Sequence, residues 1–272
     1  MQLKALIKKM AAEKNISAQL VMQNYMLERL LERIALSPYR KNFIVKGGFL
    51  ISAIVGLDTR ATMDLDTTIK GFTLTHEIIR EIFTEICSLE VEDDISFEIA
   101  GISDIREGDD YPGLRVSLKA VYPPIKGPLT VDVTTGDIIT PREINFSFPL
   151  LFDDRRIGIL SYNLETILAE KIETVLSRSI ANTRPRDYYD IHVLYALRGL
   201  EINKDLLRLA LERTTKKRGS GYILAEYPEI MQAIRKSEEL RKLWEKYQKD
   251  YPYAKDISFD ETCDSILAVA GV

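Results

Sequence analysis

Apolar residues recur at helical spacing in the first part of the chain and alternate with polar residues in its middle. Residues 18–36 carry an apolar stripe directly after Ser17, which predicts a capped amphipathic helix, and Thr75 is predicted to cap a second one. Alternation predicts strands at residues 62–69, 95–100, 113–122 and 128–134. Helices mixed with clustered strands predict an α/β (α+β) fold around a mixed sheet.

From about residue 160 the pattern is almost wholly helical. Asn163 is predicted to cap a helix that runs to about Ile180. Further helices are predicted at about 187–198, 203–213 and 228–249. We therefore expect two domains, an α/β domain at residues 1–155 and a helical C-terminal domain at residues 156–272.

Three carboxylates are the strongest candidates for chemistry. Asp64 and Asp66 lie on one face of a predicted strand, roughly 7 Å apart along the backbone, because side chains alternate along a strand. Asp132 lies on the polar face of its own strand, between Val131 and Val133. If the strands are neighbours, the carboxylates converge into hard oxygen ligands for Mg²⁺, and two such ions can clamp a phosphoryl transfer. A solvated strand end or an exposed edge strand is the alternative explanation.

A pair of glycines, Gly47 and Gly48, follows the short apolar run Phe43–Val45. That run fits either a brief strand or the lead into a helix. Glycines at the start of a helix let a phosphate approach the backbone at the positive end of the helix. An ordinary turn is the alternative meaning of the pair.

Lys171 is the most informative basic residue, because it falls within the apolar stripe of its predicted helix, near Leu168 and Val175. A solvated lysine belongs on the opposite face. Its ammonium is therefore expected either to enter a cleft and hold a nucleotide phosphate or to snorkel at the edge of the stripe.

Two arginines, Arg184 and Arg186, and two aspartates, Asp187 and Asp190, lie at the start of the next predicted helix. Asp187 fits a capping position and Asp190 fits the first turn, which the helix dipole favours. These structural roles are compatible with a place in a site, where Arg184 and Arg186 can touch phosphates.

Composition narrows the possible chemistry. Two cysteines and two widely separated histidines give no zinc spacing, and there is no glycine-rich phosphate fingerprint. No apolar run is long enough to span a membrane and no leader pattern is visible, so a cytoplasmic location is expected. Residues 1–46 carry nine Lys/Arg against three Glu, whereas residues 81–110 carry eleven Asp/Glu against one Arg. This asymmetry permits a nucleic-acid partner, although solvated helix faces explain it as well.

Five segments, in order, resemble the AbiEii/AbiGii toxin family of nucleotidyltransferase-like proteins. They are Val45–Leu50, Arg60–Asp66, Leu129–Asp132, Leu168–Lys171 and Arg186–Asp190. The resemblance implies a nucleotidyltransferase core of the DNA polymerase β type joined to a helical C-terminal part. It also implies a toxin of a type IV toxin–antitoxin system linked to abortive phage infection.

The resemblance implies roles for particular residues. Asp64 and Asp66 would ligate Mg²⁺, with Asp132 as a variably used third ligand. Lys171 would meet the nucleotide phosphates, and Asp190 would be the functional member of the last motif. The further residues that would contact the nucleotide are Lys46, Gly47, Gly48, Thr62, Arg186 and Asp187.

The resemblance also implies a reaction and partners. The substrate would be a nucleoside triphosphate, GTP in some members, and the acceptor the 3′ end of tRNA. The protein partner would be a cognate antitoxin, a winged-helix protein encoded nearby. Two alternatives stay open: a catalytically silent nucleotide binder, and a small-molecule nucleotidyltransferase similar to antibiotic-modifying enzymes.

Overall fold

The computed structural model describes residues 3–105 and 113–271. The chain divides into two compact units. The first comprises Met1–Asp137 with Glu143–Ser161, and the second comprises Ile138–Arg142 with Tyr162–Val272.

A seven-stranded mixed sheet is the centre of the first unit, counted over the described residues. The strands are β1 (Phe43–Lys46), β2 (Asp64–Ile69), β3 (Ser96–Ile105), β4 (Gly113–Tyr122), β5 (Ile125–Thr135), β6 (Ile144–Pro149) and β7 (Arg156–Ser161). Their order is β3-β4-β5-β2-β1-β7-β6. β1 pairs with β7 and β2 with β5 in parallel, and the other neighbours are antiparallel. The predicted α/β class is confirmed.

The helices of the first unit are α1 (Leu3–Glu13), α2 (Ala18–Leu36), α3 (Gly47–Val55) and α4 (His76–Ser88). Two of them, α2 and α4, start where their capping residues predict. The Ser17 hydroxyl accepts from the amide of Leu20, and the Thr75 hydroxyl accepts from the amide of Ile78. The run before the glycine pair is a strand, β1, and α3 begins directly after it at Gly47.

One helix of this unit carries charged side chains into the interior. In α2, Arg29 donates to Glu28 at 2.7 Å and to Glu32 at 2.6 Å. Glu28 is 1% exposed, and its carboxylate also accepts from the amide of Leu151 at 2.6 Å. Burial raises the pKa of Glu28 to about 7, because desolvation outweighs the opposing charge of Arg29.

The second unit is helical, as its sequence pattern predicts. Its helices are α5 (Leu164–Arg178), α6 (Pro185–Arg198), α7 (Lys204–Arg218), α8 (Ile223–Lys236), α9 (Glu238–Asp250) and α10 (Phe259–Ala270). The carboxamide of Asn163 accepts from the amide of Thr166 and caps α5, as expected. Most of the apolar side chains on α5 and α6 are buried.

Several predicted boundaries are wrong. The single helix predicted at 228–249 is two helices, because the Ser237 hydroxyl accepts from the amide of Leu240 and starts α9. α7 continues to Arg218 instead of ending near 213, since Thr214 and Thr215 are buried and extend its packed face. The pattern also gave no prediction for α1, β6, β7 or α10.

Candidate active site

Charged residues from four neighbouring strands stand in one row across the sheet. Arg115 of β4 is paired with Asp132 of β5, Asp132 with Asp66 of β2, and Asp66 with Lys46 of β1. Partners in register project from the same face of a sheet, so the row runs cation, carboxylate, carboxylate, cation. Asp64, two positions before Asp66, projects from that face as well. The two aspartate strands are neighbours, which is the condition under which their carboxylates were expected to converge.

At one end of the row, Arg115 holds Asp132 in a two-pronged ion pair. Its Nε and Nη2 atoms donate to the two carboxylate oxygens, each at 2.8 Å. The hydrogen bonds with Asp132 raise the pKa of Arg115, and the charges of Asp64 and Asp66 raise it further. All three carboxylates therefore act electrostatically on one guanidinium.

The three aspartates do not themselves form a ready metal cage. Among the described residues, no group of three or more His, Cys, Asp or Glu side chains is arranged to hold a metal ion. The observed partner of Asp132 is Arg115. The role of Asp132 as a third metal ligand stays a prediction.

At the other end of the row, Lys46 is buried and hydrogen-bonded to Asp137. The hydroxyl of Thr134 donates to the same Asp137 carboxylate at 2.9 Å. Asp137 therefore holds the Lys46 ammonium beside the aspartate strand. Asp137 is not among the site residues predicted from the sequence; it follows β5 at the turn marked by Gly136.

The glycine pair lies against the Asp66 carboxylate. The amide of Gly48 donates to Asp66 Oδ2 at 3.3 Å. The Asp66 carboxylate therefore accepts a hydrogen bond from the first turn of α3, where backbone amides have no partner within the helix. Gly47 has φ +67°, and a Cβ atom there would lie 2.0 Å from Asp66 Oδ2. Only glycine fits this contact, because the backbone is left-handed and the carboxylate fills the space of a side chain.

Two further side chains approach the same helix start. A Cβ atom at Gly48 would lie 3.0 Å from Thr62 Oγ1 and 3.2 Å from Arg60 Nη2. Arg60 is 4% exposed, and its Nη1 donates to the carbonyl of Ala61. Thr62 is among the residues predicted from the sequence, whereas Arg60, which opens the same segment, is not. A buried guanidinium beside helix amides is suited to anionic groups.

Three further predicted site residues, Lys171, Asp187 and Asp190, form a cluster inside the helical unit. Lys171 of α5 donates to Asp187 Oδ1 at 2.6 Å and to Asp190 Oδ2 at 2.7 Å. Both aspartate side chains are fully buried, and the lysine side chain is 14% exposed. Arg184 Nε lies 2.9 Å from Asp187 Oδ2. The observed partners of the Lys171 ammonium are the two carboxylates, and its contact with a nucleotide phosphate stays a prediction.

The helix that carries these aspartates begins earlier than predicted. α6 starts at Pro185, so Asp187 is its third residue and does not cap it. Asp190 is one turn further on, which places both carboxylates on one side of the helix. Arg186, between them and the helix start, is exposed.

Comparison with known proteins now gives the identity of the fold. A model of the family described as nucleotidyl transferase AbiEii toxin, type IV TA system, matches residues 29–265. The chain belongs to the AbiEii family. Type IV toxin–antitoxin membership implies a cognate antitoxin as a partner. No curated protein sequence matches the chain.

Two solved structures have a fold similar to that of this AbiEii protein. A candidate nucleotidyltransferase from H. pylori is 15% identical with a TM-score of 0.52, covering 94% of this chain and 95% of that chain. JHP933 from Helicobacter pylori is 16% identical with a TM-score of 0.52, covering 94% and 91%. At this identity the likeness shows a shared nucleotidyltransferase-like fold. In the part of this AbiEii protein that the structure describes, no helix is long and apolar enough to cross a bilayer.

Proposed function

We propose that this AbiEii toxin transfers a nucleoside monophosphate from a nucleoside triphosphate, with Mg²⁺, to the 3′ end of tRNA. The observation that carries the proposal is the contact between the carboxylate row and the glycine-started helix. Asp66 lies in register with Asp132 and touches Gly47 and Gly48. Metal ligands and a phosphate-binding helix start are thus adjacent, which is the combination that phosphoryl transfer requires.

The side chains fit magnesium by their donor chemistry. Asp64 and Asp66 supply hard carboxylate oxygens on one face of β2. Mg²⁺ is usually held by one or two carboxylates together with substrate phosphates and water, so two aspartates are sufficient. When bound there, Mg²⁺ would withdraw charge from the phosphate oxygens. The Arg115 ion pair keeps Asp132 outside this minimal set.

The chain's own residues would bind and orient the triphosphate. The start of α3 suits an anion, but the Asp66 carboxylate already accepts from the Gly48 amide and fills the space beside Gly47. Phosphate oxygens would therefore share this helix start with Asp66 or displace its carboxylate from the backbone. The guanidinium of Arg60 and the hydroxyl of Thr62 flank Gly48 and add donors. Lys46 adds a cation that Asp137 holds in place.

The reaction is a displacement at the α-phosphorus. The acceptor 3′-hydroxyl oxygen forms the new P–O bond, the α–β bridging bond breaks, and pyrophosphate leaves. The hydroxyl proton must go to a base, and Asp132 is the proposed acceptor. Because both oxygens of Asp132 accept from Arg115, this role requires the guanidinium to shift.

For the helical unit, we propose that Lys171 contacts nucleotide phosphates. Asp187 and Asp190 would hold the ammonium charged and in a fixed position. Asp190 belongs to this positioning pair and is assigned no direct chemistry.

A catalytically silent nucleotide binder is the second candidate, and the Arg115–Asp132 pair favours it. Incubation of the protein with each α-phosphate-labelled nucleoside triphosphate, Mg²⁺ and total tRNA separates the two. Label on tRNA that is lost in Asp64→Asn and Asp66→Asn supports the transferase. Nucleotide binding without any transfer supports the silent binder, and transfer to an aminoglycoside but not to RNA identifies a small-molecule enzyme.

A further inference from the structure

A basic groove of about 240 Å³ lies in the helical unit, where the start of α6 faces the end of α9. Its cations are Arg184, Arg186 and Lys246, against one carboxylate, Asp250. The chain as a whole has a net charge of −4. A local excess of positive charge on an acidic protein indicates a surface for an anionic partner.

The cations are not all used in ion pairs. Arg184 lies within 2.9 Å of Asp187. Arg186 and Lys246 are exposed, and among the described residues neither forms an ion pair. Two long cationic side chains on different helices can therefore reach anionic groups spaced along the groove.

An aromatic ring forms part of the groove wall. Tyr251 is 36% exposed, and its ring centroid lies 4.6 Å from that of Tyr247 and 5.4 Å from that of Tyr253. Tyr247 is itself 6% exposed. The neighbouring rings fix the position of Tyr251, so it can offer a flat surface at little entropic cost.

We infer that this groove binds an unpaired segment of RNA, with phosphates on Arg186 and Lys246 and a base stacked on Tyr251. A cationic groove with a stacking ring is how proteins bind single-stranded nucleic acid without reading its sequence. An acidic protein segment would use the cations but not the ring. The inference rests on the proposed function, because the strand held here would belong to the acceptor RNA.

A free nucleotide offers the same phosphate and base chemistry as an RNA strand. The groove residues are mostly exposed and lie on two helices, which suits a chain that runs across the surface. A competition experiment distinguishes the two ligands, because free nucleoside triphosphate would displace a bound RNA strand from a mononucleotide site.

The test uses the full-length protein and a fluorescein-labelled oligouridylate, with binding measured by anisotropy over a series of salt concentrations. Arg186→Gln and Lys246→Gln are each expected to weaken binding and to reduce the slope of log K against log salt by about 0.7. Tyr251→Ala is expected to weaken binding roughly tenfold without changing that slope. Lys249→Gln, an exposed lysine of α9 outside the groove, is the matched control and should change neither.

The unfolding midpoint of each variant is measured in parallel. Because Tyr251 packs on other rings, Tyr251→Leu is a second variant that keeps apolar packing without a stacking face. If it regains the stability but not the affinity, the ring contributes to binding directly.

The inference is overturned if the wild-type protein does not bind the oligouridylate, or if the groove variants bind it normally. It is also overturned if free GTP displaces the oligouridylate from the wild-type protein but not from the groove variants. Such a result would show that the groove is a mononucleotide site. A reduced salt slope in the Arg186 and Lys246 variants without any effect of Tyr251→Ala or Tyr251→Leu also overturns it, because the groove then binds anionic groups without stacking a base. The label-transfer assay is scored separately. Wild-type transfer with normal groove-variant binding refutes only this inference, whereas groove-dependent binding without transfer refutes only the proposed function.

Discussion

The two units of this AbiEii protein both contain a carboxylate pair beside a cation, but water reaches the pairs differently. In the sheet, Asp64 is exposed and Asp66 is partly exposed. In the helical unit, Asp187 and Asp190 are fully buried around Lys171. The sheet carboxylates can exchange water for a metal or substrate, whereas the buried pair depends on its cation. Removing one partner of a buried pair is costly because the remaining charge has no solvent.

The contrast separates two kinds of experimental effect. Changes in the sheet row should alter activity more than stability. Changes in the helical cluster should alter stability first, and activity only through it or through the proposed phosphate contact.

The largest expected effect is on the helical cluster. Lys171→Met leaves Asp187 and Asp190 buried without their shared cation and should reduce the free energy of unfolding by about 3–5 kcal/mol. The triple variant with Asp187→Asn and Asp190→Asn should regain most of that loss. Urea unfolding measures both, with Lys242→Met, at an exposed lysine, as the control. An unchanged unfolding free energy for Lys171→Met would show that the cluster is not structural.

The next largest effect is catalytic. Asp66→Asn should reduce label transfer by on the order of 100- to 1000-fold, because a charged metal ligand is lost. Its unfolding free energy should stay within about 1 kcal/mol of the wild type, since removing one of two close carboxylates also relieves repulsion. Asp104→Asn, an exposed aspartate beside His76, is the control. Normal transfer by Asp66→Asn would remove the sheet row from the mechanism.

The third prediction concerns Glu28, a buried carboxylate in the same unit as the exposed sheet aspartates. The pKa of Glu28 is raised from its ordinary value of 4.5 to about 7, so between these pH values the folded state binds more protons than the unfolded state. Stability should therefore fall as pH rises from about 4.5 to about 7, and Glu28 contributes about 3 kcal/mol to that fall. Glu28→Gln should flatten this part of the profile in denaturant unfolding. Parallel wild-type and variant profiles would show that Glu28 does not titrate there.

The smallest expected effect isolates one contact of the row. Gly219 has the same φ of +67° as Gly47, but a Cβ atom added there meets nothing within 4 Å. Gly219→Ala should cost about 1–2 kcal/mol for backbone strain alone. Gly47→Ala should cost more and should also reduce transfer, because its Cβ would displace the Asp66 carboxylate. Equal costs with full activity would show that the contact with Asp66 is unimportant.

Local signals predicted much of the fold. Ser17, Thr75 and Asn163 start helices because their side chains accept amide hydrogen bonds, which is readable from nearby residues. The capping box of Ser258 and Glu261 gave the same kind of signal for α10 and was overlooked. β6 and β7 were missed although Phe148, Ile157 and Ile159 keep strand alternation.

The site was predictable only in part, because the residues that contact the predicted side chains are distant from them in sequence. The alternation of β2 and β5 was enough to expect Asp66 and Asp132 on polar faces. The partners Arg115 and Asp137 depend on strand register and on a turn, which no local pattern specifies. Arg60 carries no distinguishing periodicity, and its approach to Gly48 follows from tertiary packing.

The parallel pairing of β2 with β5 also sets an order of events during synthesis. A ribosome that has just produced β2 has made Asp64 and Asp66, but the neighbour that completes their row is still unmade. Fragments that end before residue 125 lack β5 entirely and cannot close the row. Under the proposed mechanism, fragments released by early termination of translation are therefore expected to have no transferase activity.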